Sequence, residues 1–265
     1  MSQVIYAHPN VSGNSIINSL EPSEYQRLSR FFKVVELEPQ RTLYAPGDEI
    51  AHAYFPVDSV VAAVATMNDG STVETAMVGR EGVVGVAAIM GSCRARTWTR
   101  VLLPGEAVRV EAGLLRELFN DSQAWQKLLL RYYATLINQV SRRAICNTRH
   151  RLSERLATWL LMLHDRAGRD ELQLTQEAAA RQLGVRRAGV NECVGWLQRM
   201  NVIDHRRGHI RVINREALED AACVCYRGFE EEMRWYDAAG LKVGDLRGER
   251  LPARRGDGLL NPASG

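Results

Sequence analysis

The sequence lacks any apolar run approaching the roughly 18–20 residues that carry a helix across a bilayer, so a helical membrane protein is not expected. Its first ten residues, MSQVIYAHPN, contain no lysine, no arginine and no long apolar core, and so do not form a secretory signal. The cysteines (Cys93, Cys146, Cys193, Cys223 and Cys225) are odd in number and scattered. That excludes a disulfide framework and fits reduced thiols in a cytoplasmic protein. Cys223 and Cys225 are too close together and too unaccompanied for a zinc site, which wants four ligands, so no metal site is expected. There is no Ser-His-Asp grouping, no HExxH and no GxxxxGK loop, hence no catalytic residue and no enzymatic activity is expected. Lysine is missing from residues 149–228, where all 14 basic residues are arginine, the better fork for phosphate and guanine.

That arginine-only segment is part of an uneven charge distribution. Residues 1–118 carry 10 basic and 13 acidic residues, residues 119–148 carry 4 and 1, and residues 149–228 carry 14 and 10. The texture changes at the same places. Residues 22–32 read as a short amphipathic helix. From Val34 to about Val110, short Val/Ala/Thr-rich runs are broken by Ala45-Pro46-Gly47-Asp48, Asn68-Asp69-Gly70 and Pro104-Gly105-Glu106. Asn-Asp-Gly between two apolar runs predicts a hairpin, and strands at this spacing predict a sandwich or jelly roll. No glycine or proline then occurs from Asp121 to Thr148. Trp125, Leu129, Tyr132, Leu136 and Val140 follow at steps of three and four residues, which predicts one long helix with a narrow apolar seam. The seam could pack on the helix's own domain or pair with a second copy. A helix of roughly 26 residues spans about 39 Å, more than cover for the β domain requires, and the length favours a dimer seam.

The expected architecture is therefore α+β. An N-terminal double-stranded β-helix (jelly roll) occupies residues 1–118, a dimerisation helix 119–148 and a smaller C-terminal domain 149–228. Residues 229–265, which become rich in Gly, Arg and Pro beyond about Tyr236, are expected to be a disordered tail.

The third segment carries the most specific pattern. Thr175 is a good N-cap and Glu177 puts an anion in the first turn. Ala179, Ala180 and Leu183 face inward, and Gly184 supplies the left-handed residue that ends the helix. Val190, Cys193, Val194 and Leu197 then form the inner face of a second helix. Ala180, Gly184 and Val190, at relative positions 0, +4 and +10, make a helix-turn-helix. Arg187, Ala188, Asn191 and Glu192 must face outward near the N-terminal end, the end that reaches base edges. Arg can read guanine, Asn adenine and Glu cytosine, while Arg186 at the turn is placed for a phosphate. Cations at a helix N-terminus oppose the macrodipole, and a nucleic-acid partner explains them. Val202–Ile213 predicts a basic hairpin, a wing whose Arg206, Arg207 and Arg211 would lie over the adjacent backbone.

With VGREGVVGVAAIMGSCRARTW in the roll, QVSRRAICNTRHRLSERLATWLL at the helix and hinge, and LTQEAAARQLGVRRAGVNECVGWLQRMNVIDHRRGHIRV beyond, residues 22–226 resemble the Crp/Fnr family of bacterial transcription regulators. The resemblance implies a homodimer on roughly two-fold symmetric double-stranded DNA, with RNA polymerase as a further partner. It also makes residues 1–118 a sensor domain with an effector site in the roll, and residues 149–228 a winged helix-turn-helix DNA-binding domain. Members that bind cyclic nucleotides carry Gly-Glu-Leu, followed by Arg-Ser or Arg-Thr eleven residues after the glycine. Here Gly85 is followed by Val86 and Ala87, while Arg96 and Thr97 stand at the expected spacing. The phosphate-type arginine is present and the ribose-type carboxylate is absent. Asn147 and Thr148 match the helix positions that meet the purine. Ordinary cyclic AMP is thus not the expected effector; a small anionic or nucleotide ligand at Arg96, or none, is. No cysteine precedes Cys93, against an iron–sulfur sensor, and His52 alone does not make a haem site. No cofactor is assigned. The alternative reading is a regulatory adaptor acting through a protein partner rather than DNA.

Overall fold

The computed structural model describes residues 13–240. Two short helices, α1 (Ser15–Asn18) and α2 (Pro22–Ser29), lead into the strands β1 (Lys33–Leu37), β2 (Thr42–Tyr44), β3 (His52–Pro56), β4 (Val60–Thr66) and β5 (Thr72–Val78). Helix α3 (Val86–Ile89) separates these from β6 (Trp98–Leu103) and β7 (Gly105–Glu111). The strands form two antiparallel sheets, β1-β7-β3 and β2-β6-β4-β5. The expected hairpin joins β4 to β5. Met67 N–H donates to the Ser71 carbonyl at 2.8 Å, Asp69 accepts from the Ser71 N–H at 2.9 Å, and Gly70 takes φ +80°.

Strand β4 is apolar on both faces because both faces are covered. Val61 joins Leu37, Tyr44, Tyr54 and Val101 in the core between the sheets. Val60, Ala62 and Val64 belong instead to a second core shared with the C-terminal helices. A third core sets Ala53, Phe55, Val108 and Val110 against the helices on the other side of the roll.

Helix α4 (Ala112–Asp121), which the sequence analysis did not separate, precedes the long α5 (Gln123–Arg149) of 27 residues. Ser122 divides them: its hydroxyl accepts from the Trp125 N–H and caps α5. The structure revises the apolar seam of this helix. Trp125, Leu129 and Tyr132 are buried in the chain's own core, and the Tyr132 hydroxyl donates to the Val83 carbonyl. The exposed apolar stripe, Leu130 (51%), Tyr133 (39%), Ile137 (46%) and Val140 (37%), spaced three, four and three residues apart, shares only Val140 with the predicted seam. Two stripes on one helix account for its length: one covers the roll and the other is left over.

The chain bends at His150 and Arg151, both extended, into α6 (Leu152–Ala167). Leu156–Leu163 is buried without a break. A helix apolar all round must be covered all round, and α6 lies between the roll's outer sheet face and the elements that follow. These are β8 (Glu171–Leu172), α7 (Gln176–Leu183), α8 (Arg187–Arg199), β9 (Ile203–Arg206), β10 (His209–Val212), α9 (Arg215–Ala221) and α10 (Cys225–Gly240). Residues 229–240, expected to be disordered, are helical, because α10 runs along α5. Asn138 donates to Glu232 at 3.1 Å, and Arg142 approaches the same carboxylate at 3.7 Å. The rest of the expected tail, 241–265, lies outside the described residues. Among the described residues no helix is long and apolar enough to cross a membrane.

Two buried ion pairs tie the halves together. Glu74 on β5 meets Arg143 of α5 at 3.0 Å and accepts from the Trp159 indole N–H of α6 at 3.1 Å. Burial pushes the Glu74 carboxyl upward, while Arg143 and the indole pull against it. Arg166 of α6 donates to Glu81 at 2.8 Å and to the Met162 carbonyl at 3.1 Å. Removing one partner of such a pair strands the other charge, at a cost of about 3–5 kcal/mol. Arg143→Ala should lower the free energy of urea unfolding by about that amount, and adding Glu74→Gln should recover part of the loss. Equal stability of Arg143→Ala and the parent would contradict this account.

Candidate nucleic-acid interface

The two-helix motif is built by its local chemistry. The Thr175 hydroxyl accepts from the Ala178 N–H at 3.1 Å and caps α7. Gly184, at φ +65°, ends that helix; any Cβ there would also stand 3.2 Å from the Val73 side chain. Val185 N–H closes the turn on the Ala180 carbonyl at 3.0 Å. Val190, Val194 and Leu197 are buried, and Cys193 packs partly against the same core. Burial pushes the Cys193 thiol upward, in keeping with a packing role for this side chain.

The opposite face carries Arg187, Ala188, Asn191 and Glu192, all exposed, on the first two turns of α8. Arg186 is the N-cap, makes no side-chain cap, and the first turn of α8 has no acidic residue. Free N–H groups and two arginines at a helix start form an anion-favouring end. The Asn191 side chain has a neighbour on α7: its carbonyl oxygen accepts from the Gln176 side chain at 3.1 Å. Sequence reasoning missed Gln176, because only the crossing of α7 and α8 brings it to Asn191.

Beside the motif stands the three-stranded sheet β8-β10-β9. His209 pairs with Arg206 and Val212 with Ile203, which puts Arg207 and Gly208 at the tip. Arg206, Arg207 and Arg211 are exposed. Arg206 bonds Asp204 at 3.0 Å and His209 lies 3.1 Å from Glu171, so the wing holds acids beside its bases.

A cleft of about 1140 Å³ separates the β4–β5 turn from α7 and the start of α8. Arg100, Arg155, Arg181, Arg186 and Arg187 line it, together with Asn147. Arg181 was not singled out from sequence. Of the five residues expected at an effector, only Asn147 borders this cleft. Gly85, at φ +89°, turns the chain into α3. Arg96 is exposed and Thr97 half-buried in the segment leading to β6. The Thr148 hydroxyl donates within its own helix, to the carbonyls of Ala144 and Ile145. A further residue set departs from expectation: Cys223 and Cys225 are accompanied, with Cys146 and His150 beside them.

Residues 34–122 match the family model of the cyclic nucleotide-binding domain, and residues 154–221 match that of the Crp-like helix-turn-helix domain. Among solved structures, FixK2 from Bradyrhizobium japonicum is similar with a TM-score of 0.62 at 16% identity, over 73% of this chain and 98% of that one. TTHB099, a CRP-family transcriptional regulator from Thermus thermophilus, gives 0.59 at 20% identity, over 71% and 96%. The c-di-GMP responsive global regulator CLP from Xanthomonas campestris gives 0.56 at 16%, over 72% and 99%. No curated protein matches the chain. The match to a DNA-binding domain model does not favour the alternative of an adaptor working through a protein partner.

Proposed function

Because the chain belongs to the Crp/Fnr family of transcription regulators, we propose that it binds double-stranded DNA as a homodimer, inserting α8 into successive major grooves. The observation that carries this reading is the exposed face of α8. Arg187, Ala188, Asn191 and Glu192 line up beside a basic wing while Val190, Val194 and Leu197 on the opposite face are buried. In the proposed complex Arg187, Asn191 and Glu192 read base edges and Ala188 leaves room for a close approach or contacts a thymine methyl. Arg186, Arg206, Arg207 and Arg211 neutralise phosphates. Gln176 holds Asn191 ready for adenine.

The dimer seam proposed is Leu130, Tyr133, Ile137 and Val140. Its spacing is that of a and d positions in a paired helix, and the described residues leave these side chains exposed. The start of α8 faces the β4–β5 hairpin across the cleft, so groove insertion calls for the roll to yield that end. The roll is thereby suited to regulate access. A small anionic or nucleotide effector at Gly85, Arg96 and Thr97 would act there; without a carboxylate after Gly85, a ribose hydroxyl goes unpaired, at a cost of about 1–3 kcal/mol. RNA polymerase is the partner such a regulator addresses.

Three outcomes are expected. Arg187→Ala should weaken binding to the cognate site by about 1–3 kcal/mol while leaving random DNA unchanged in a mobility shift; equal losses on both would refute base reading. Replacing Arg206 and Arg207 together by Ala should flatten the slope of log affinity against log salt by about 2 per protomer. Ile137→Glu should yield monomers in light scattering, with the fold intact by circular dichroism. A dimer that survives Ile137→Glu would move the seam elsewhere.

A further inference from the structure

The end of α5 and the start of α10 meet at a cluster that the DNA-binding reading does not use. Cys146 and His150 stand one turn apart at the end of α5, at i and i+4, which puts them on one helix face. Cys223 lies in the link between α9 and α10, and Cys225 is the first residue of α10. Val224 between them points to solvent, so both thiols turn inward together. One ligand atom from each of the four residues lies within 4.8 Å of every other. Cys146 Sγ is 3.4 Å from Cys223 Sγ, and Cys225 Sγ is 3.6 Å from His150 Nδ1. All three cysteines are buried and His150 is partly so.

A zinc ion with bonds of about 2.3 Å to sulfur and 2.0–2.1 Å to nitrogen sets the edges of its tetrahedron. They come to about 3.8 Å between sulfurs and about 3.5 Å between sulfur and nitrogen. The Cys146–Cys223 and Cys225–His150 separations sit close to these edges. Three soft thiolates and an imidazole are the Cys₃His set of structural zinc sites, and four protein ligands leave no open position for chemistry. Outer partners are in place as well. Thr158 has its hydroxyl 3.1 Å from Cys223 Sγ and accepts the Cys223 N–H at 3.1 Å, the kind of contact that orients a ligand.

We propose that Cys146, His150, Cys223 and Cys225 form a structural Zn²⁺ site that fastens the DNA-binding domain to the end of the central helix. Binding deprotonates three thiols and releases their protons to solvent; no electron is transferred. The site lies at the bend between α5 and α6, where His150 caps α5. The ion would therefore fix the angle at which the winged domain leaves the helix, and would anchor α10 for its run back along α5.

The test uses the untagged full-length chain, purified from zinc-replete medium under reducing conditions. Metal analysis should find about one zinc per chain. Reduced apo-protein titrated with Co²⁺ should develop the thiolate charge-transfer and tetrahedral ligand-field absorption. Cys225→Ser and His150→Ala should each lose zinc to a chelator at least about tenfold more readily than the parent. Cys93→Ser, remote from the cluster, should retain it. The parent measurements stand even where a variant fails to fold. The proposal is overturned if the parent contains no zinc and gives no Co²⁺–thiolate band, if iron occupies the site in place of zinc, or if mass spectrometry of non-reduced protein finds Cys146 and Cys223 disulfide-linked.

Discussion

The contact on which the arrangement depends is the carboxylate of Glu74. It is taken out of water on strand β5 and met there by a guanidinium from the central helix and an indole N–H from α6. A buried charge is costly unless its partners are well placed. Glu74 therefore makes the roll, the central helix and the DNA-binding domain answerable to one another, because each supplies a member of the same small network. Arg166 with Glu81 repeats the device a few residues further on, and Arg169 extends it outward by donating to the Pro104 carbonyl at 2.6 Å. The apolar packing around these pairs supplies cohesion, while the charges fix the register in which the parts meet.

That coupling gives the roll a physical route to the DNA-binding surface. The turn between α7 and α8 touches β5 at Val73, and the arginines at the start of α8 look across a cleft at the β4–β5 hairpin. Val73 lies against Gly184, two residues before Arg186. The central helix is similarly two-sided. One stripe is consumed by the roll, and a second stripe at coiled-coil spacing is left for a partner. In the function proposed above, the first stripe would report the state of the roll and the second would hold two copies in phase with DNA.

The helix-turn-helix and its wing were legible in the sequence almost residue by residue. Thr175, Gly184 and the Val190–Leu197 face are local signals, in which a cap, a left-handed glycine and a three-to-four periodicity act on neighbouring residues. The Asn68-Asp69-Gly70 hairpin was legible for the same reason. The apolar stripe of α5 was legible as helical, but the face it predicts for a partner is, Val140 aside, the one the roll covers. Periodicity reports that a face is apolar, and is silent on which apolar face meets the chain itself.

The sequence alone determined the order of the parts, the bounds of α7 and α8, the outward face of α8 and the missing carboxylate after Gly85. Each of these is set by residues within about ten positions of one another, where backbone geometry does the sorting. Tertiary structure decided the rest: the pairing of Glu74 with Arg143, the grip of Gln176 on Asn191, the return of α10 along α5, and the meeting of Cys146 and His150 with Cys223 and Cys225. Those partners lie 15 to 94 positions apart, so no local rule links them; they find one another only when burial of the shared cores brings distant segments into contact.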